Sequence, residues 1–75
     1  MEYTLDHVFD FKTDVQTEYD KNRLIALLLD REQIEDCSID LDDIDSVLRV
    51  ISSKLSGRQI TELINQQGFS CTELE

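Results

Sequence analysis

Carboxylates are the chemistry this sequence offers in quantity. Asp36, Asp40, Asp42, Asp43 and Asp45 fall within ten residues of one another. A calcium site needs several hard oxygen ligands in fixed geometry, and an EF-hand loop needs a glycine at its sixth position and an acid at its twelfth. Counting from Asp36, those positions hold Leu41 and Val47; counting from Asp40, they hold Asp45 and Ile51. Neither register is an EF-hand. Hydrolysis by paired carboxylates needs a cleft that separates an acid from a base, and a row of acids on a short chain is not such a pair. His7 is the single histidine, and Cys37 and Cys71 are the only cysteines. No spacing marks them as a nucleophile and its base. Together they fall one ligand short of a usual structural zinc site. The expectation is a protein that is not an enzyme and holds no metal or cofactor.

The acids are unevenly spread. The chain carries 17 acids against 7 bases, net -10, yet residues 30–45 alone hold eight acids and one base, and residues 46–75 are balanced. A local field of this sign steers basic partners and repels nucleic acid. The expected partner is therefore a basic protein surface, with no direct nucleic-acid binding. Arginines would meet Asp36, Asp40, Asp42, Asp43 and Asp45, since guanidinium pairs bidentately with carboxylate. Such contacts raise encounter rate and specificity, while neighbouring apolar groups, Ile39 or Leu41, would supply more of the affinity. Asp6, Asp10, Asp14 and Glu18 recur at four-residue steps. On one helix they would form a secondary acidic stripe.

These acids predict a non-enzymatic interaction or regulatory module with an acidic face. Two alternatives stand beside it. One is a nucleic-acid mimic, because small acidic inhibitors from phages and other mobile elements are similar in size and charge. The other is a structural homodimer whose acids only keep its surface soluble. Two further likenesses are local. The stretch ISSKLSGRQITELINQQGFS resembles the opening of a helix-turn-helix, but the residues after it contain no base to neutralise phosphate. Asp45-Ser46-Val47 resembles the prosthetic-group motif of acyl carrier proteins over three residues, without the glycine that usually precedes it.

Positioning these groups falls to segments that read as helical. Leu41, Ile44, Val47, Leu48, Ile51 and Leu55 recur at three- and four-residue steps, the period of one helix face. This predicts a helix from Asp40 to Gly57, capped by Asp40 and stopped by Gly57. Residues 13–31 predict a second helix, with Thr13, Asp14 or Asp20 as cap and an apolar run, Leu24 to Leu29, suited to burial or to a dimer contact. Ile34, Cys37 and Ile39 anchor the link between the two. Ser56 and Gln59 have capping-box spacing, so a third helix should carry Ile60, Leu63 and Ile64 inward, stop at Gly68 and be covered by Phe69. Residues 1–12 are ambiguous. Tyr3, Leu5, His7, Phe9 and Phe11 alternate as in a strand, but no second strand is evident to pair with it, which favours a short helix or an arm anchored by Phe9 and Phe11.

The predicted architecture is all-α: a small three- or four-helix bundle with a short N-terminal arm, forming a single acidic helical domain over residues 1–75. A chain of this length buries only about 60% of its unfolded surface, so a second copy or a partner could add burial. No apolar run approaches about 18 residues, and the first residues do not resemble a secretory signal. A cytoplasmic protein with free thiols, away from membranes, is expected.

Overall fold

The computed structural model describes residues 7–74. It overturns the all-α bundle. The chain runs β1 (Val8–Thr13), α1 (Glu18–Leu29), β2 (Asp36–Asp40), β3 (Val47–Ile51), α2 (Gly57–Gln66) and β4 (Cys71–Glu73). The four strands form one antiparallel sheet in the order β2-β3-β1-β4. Each helix thus connects two parallel strands that are separated by a third. Two such split βαβ units interlock, which is the connectivity of ferredoxin-like folds.

Cross-strand register explains why these segments are strands. Phe11 lies opposite Leu48, which lies opposite Ile39; Phe9 lies opposite Val50, which lies opposite Cys37. Each row spans three strands and points to one face. Phe11, Leu48 and Val50 are fully buried there, with Leu24 and Leu28 from α1 and Ile60 and Ile64 from α2 packed over them. The other face carries Val8, Asp10 and Lys12 from β1, Val47, Arg49 and Ile51 from β3, and Asp36, Ser38 and Asp40 from β2, none of them fully buried. A sheet covered on one face needs this two-residue alternation.

The helix predicted from Asp40 to Gly57 is instead the end of β2, a turn, β3 and a loop. Its apparent helical period came from combining the two faces of a strand with a turn residue. Leu48 faces the core, Val47 and Ile51 face the other way, and Ile44 is 99% exposed. Val47, Val50 and Ile51 are β-branched and suit a pleated strand better than a helix. The strand reading of Phe9 and Phe11 holds in place of the helix or arm, because β3 and β4 flank β1 on both sides.

The two helices begin and end by local chemistry. Thr17, rather than Thr13, Asp14 or Asp20, caps α1 by accepting from Asp20 N–H at 3.1 Å. For α2, the predicted capping box is present: Gln59 N–H donates to Ser56 Oγ at 3.2 Å, and Ser56 N–H donates to Gln59 Oε1 at 2.9 Å. Gly57 opens this helix instead of closing an earlier one. Gly68, with φ of 90°, turns the chain after it and brings Phe69 into the core at 7% exposure. A β-carbon at Gly68 would meet nothing within 4 Å, so the cost of an alanine there is conformational. Gly68→Ala should destabilise by about 1–2 kcal/mol, read as a lower urea midpoint, with Gly68→Asn costing less.

Candidate functional site

The sheet face away from the two helices and the β2–β3 turn carry most of the predicted site residues. Asp36 and Asp40 lie on β2, an edge strand, and point away from the helices; Asp42 and Asp43 are exposed in the turn that follows. Two of these carboxylates shape the backbone. Asp40 Oδ1 accepts from Asp42 N–H at 3.0 Å, and Asp43 Oδ1 accepts from Asp45 N–H at 2.8 Å. Both are Asx-turns. Asp36 Oδ1 accepts from Cys37 N–H at 2.9 Å.

The turn is tied to the end of β1 and the residues just after it. Thr13 N–H donates to Asp45 O at 3.0 Å, Thr13 Oγ1 donates to Ser46 O at 2.7 Å, and Ser46 Oγ donates to Val15 O at 2.6 Å. Ser46 takes a positive φ of 46°, an uncommon conformation for a residue with a β-carbon, and its hydroxyl contact to Val15 offsets that. Ser46 therefore closes a turn, and the start of a helix, where an acyl carrier protein places its serine, is not its setting. Three anchoring hydrogen bonds hold the acidic turn in one position relative to β1.

Cations on this face are already engaged. Arg49 grips Asp10 with Nε at 2.9 Å from Oδ1 and Nη2 at 3.5 Å from Oδ2. The hydrogen bond and then the charge of Asp10 push the guanidinium pKa further up. Lys12 Nζ lies 3.5 Å from Asp45 Oδ1. Asp10 and Asp45 are thereby neutralised locally. Among the described residues, Asp36, Asp40, Asp42 and Asp43 have no cationic partner. A shallow depression of about 280 Å³ lies on this side, lined by Ser38, Asp40, Asp43, Val47 and Arg49.

The apolar anchors differ from those expected. Ile39 points into the core at 5% exposure, and Leu41 packs against the core from its edge. Ile44, flanked by Asp43 and Asp45, is the side chain that projects into solvent. Sequence reasoning placed it on a helix face; the polar residues on both sides of it were the available sign of a turn. The secondary stripe does not form. Asp10 sits on the open sheet face, Asp14 accepts from Ser70 N–H at 3.0 Å to clip β4 to the end of β1, and Glu18 lies in the first turn of α1 near Lys21. Asp6 lies outside the described residues.

The cysteines occupy opposite edges of the sheet, Cys37 on β2 and Cys71 on β4, with two strands between them. Three strand spacings amount to about 14 Å, too far for a disulfide within the chain. Burial, then the neighbouring Asp36, pushes the Cys37 thiol up to about 11; burial also raises Cys71. Both thiols stay protonated near neutral pH, which makes them weak nucleophiles and weak metal ligands. Among the described residues, no three His, Cys, Asp or Glu side chains form a metal-binding group, and no helix is long and apolar enough to cross a membrane. No protein-family model matches this chain, and no curated protein or solved structure matches it.

Proposed function

We propose that this chain is a non-enzymatic interaction module that binds a basic protein surface along β2 and the β2–β3 turn. One observation carries the reading. The face spends its two cations on Asp10 and Asp45, leaving Asp40, Asp42 and Asp43 uncompensated beside a fully exposed Ile44, with Asp36 uncompensated at the other end of β2. Asp40, Asp42 and Asp43 share one short turn, where like charges repel, and a partner's arginines relieve that repulsion. Burying Ile44 against the partner contributes about 1.5–3 kcal/mol, and the acids set encounter rate and orientation. The central strands present Val8, Asp10, Lys12, Val47, Arg49 and Ile51 to the open face. RNA-binding sheets of this shape stack bases on aromatic side chains of their central strands; these residues offer no such platform.

The test uses the turn chemistry. Asparagine keeps the carbonyl oxygen that makes each Asx-turn, so Asp40→Asn, Asp42→Asn and Asp43→Asn together should leave the fold intact, as read by circular dichroism. The intact protein serves as bait for affinity capture, and the protein it retains is then titrated calorimetrically. Against the triple variant, affinity should fall at least about tenfold, with a shallower dependence on salt. Ile44→Ala should weaken binding without changing the salt dependence. Equal affinity of the triple variant and the native chain would sink the acidic-face reading. Competition with a nucleic acid for the captured protein would identify the narrower, mimic form of the same function.

A further inference from the structure

Helix α1 buries Leu24 and Leu28, and on its opposite side Tyr19, Asn22, Arg23 and Ala26 are exposed. Tyr19 is 71% exposed there, while Leu27 at 38% and Leu29 at 46% lie on opposite flanks of that side, about 160° apart around the axis. This face also differs from the rest of the molecule in charge. Glu18 to Arg31 contains three acids and three bases, whereas Glu32 to Asp45 contains seven acids and no base. Within the helix, Arg23 and Asp30 stand seven residues apart. Asp30, the C-cap, keeps helical dihedrals, so the two lie about 10 Å apart along the axis and about 20° apart around it. They share one exposed stripe.

We propose that a second copy of this chain covers that stripe, giving a symmetric dimer of antiparallel α1 helices. A two-fold axis beside Ala26 and Leu27 brings Arg23 of each copy to Asp30 of the other, so the ion pair forms twice. Ala26 and Leu27 lie on either side of the Arg23–Asp30 stripe, each about 50° from its centre; the small Ala26 lets the helices approach, and Leu27 packs along the seam. Arg23 is prepared for this. Its guanidinium lies 5.0 Å above the centre of the Phe69 ring, which reduces the entropy lost on pairing. Asp30 places a negative charge at the carbonyl end of the helix, where the dipole disfavours it, and a guanidinium from a second copy offsets that cost. The electrically balanced stripe is the place where two chains of net charge -10 can meet. The acids of β2 project on the sheet face away from the helices, so the dimer keeps both acidic faces open. This inference does not depend on what those faces bind.

Sedimentation equilibrium of the full chain tests it. The native chain should self-associate to a dimer, and added salt should leave that dimer intact or tighten it by screening the net repulsion. Asp30→Lys should weaken dimerisation at least about tenfold, since two exposed pairs turn into two repulsions. The same change should leave the dilute monomer as thermally stable or more so, because a cation suits that helix end. Arg23→Glu should also weaken the dimer. Mixing the two variants should restore association, since each then supplies what the other lacks. A native chain that stays monomeric at millimolar concentration, an Asp30→Lys variant that dimerises as tightly as the native chain, or a mixture that fails to pair would each overturn the proposal.

Discussion

Phe11→Ala should remove about 3–5 kcal/mol of stability, the range for deleting a fully buried aromatic side chain. Phe11 has no exposed surface and sits on β1, one of the two central strands. It forms the middle of the apolar layer: Leu48 lies beside it on β3, Ile39 beyond on β2, and the helices close over the row. Alanine would leave a cavity there, because β1, hydrogen-bonded to β3 on one side and β4 on the other, cannot collapse into it. A chain of 75 residues has about 4–11 kcal/mol in total. The variant should therefore lie close to unfolding at ambient temperature, with its urea transition moved to a much lower midpoint. Phe9→Ala, at a half-buried position one row along, should cost less. A loss below about 1 kcal/mol for Phe11→Ala would contradict the central place of this side chain.

A second large effect belongs to a hydroxyl. Ser52 is 1% exposed and lies just after β3. Its Oγ donates to Gln33 O at 2.5 Å and accepts from Lys54 N–H at 3.3 Å and from Leu55 N–H at 3.1 Å. One oxygen thus joins the loop leading into β2 to the loop leading into α2. Its own N–H donates to His7 O at 2.9 Å, which adds the start of β1 to the same junction. Ser52→Ala keeps the shape and leaves a carbonyl and two amides short of a partner, at about 2–3 kcal/mol. For a domain of this size that corresponds to a fall in Tm of about 8–24 °C, measurable by thermal unfolding followed by circular dichroism. Ser53→Ala, which removes an exposed Oγ that donates to the Glu35 carboxylate at 3.1 Å, is the control and should change little. A comparable loss in both variants would remove Ser52 from this role.

The junction and the acidic turn show how the fold serves the proposed interaction. The Thr13 and Ser46 hydrogen bonds tie the turn to the end of β1, and Ser52 ties the other end of β3 to the helix-bearing loops. Strand β3 is held at both ends, so Asp40, Asp43 and Ile44 stand on a fixed support. Fixed carboxylates lose less entropy when a partner binds than carboxylates on a loose loop.

Some of this was legible along the chain, and the rest was not. Ser56 and Gln59 announced α2, and Gly68 with Phe69 announced its end, because caps and left-handed stops depend on residues within one helical turn. The core was partly legible too: Leu24, Leu28, Leu48, Ile60 and Ile64 are apolar wherever they are placed. The alternation of Asp36, Ser38 and Asp40 with Cys37 and Ile39 was a clear two-residue period in a short segment. It was outweighed by a longer stretch with a false helical period. The direction of Ile39 was hidden for the same reason, since on β2 it must face the side opposite the acids.

Where the charge lies, and how α2 begins and ends, follow from the residues alone. Each of these is a property of composition or of residues a few positions apart. Only the tertiary structure decided that residues 8–13 and 47–51 are strands, because a strand gains its hydrogen bonds from a partner distant in the chain: Val8 meets Ile51, and Thr13 meets Cys71. That pairing sorted the acids. It gave Asp10 to Arg49 and brought Asp45 to Lys12, and it left Asp40, Asp42 and Asp43 beside Ile44 in the turn, with Asp36 at the other end of β2. Net charge is additive along a chain. Which charges are cancelled depends on distances that only the folded sheet sets.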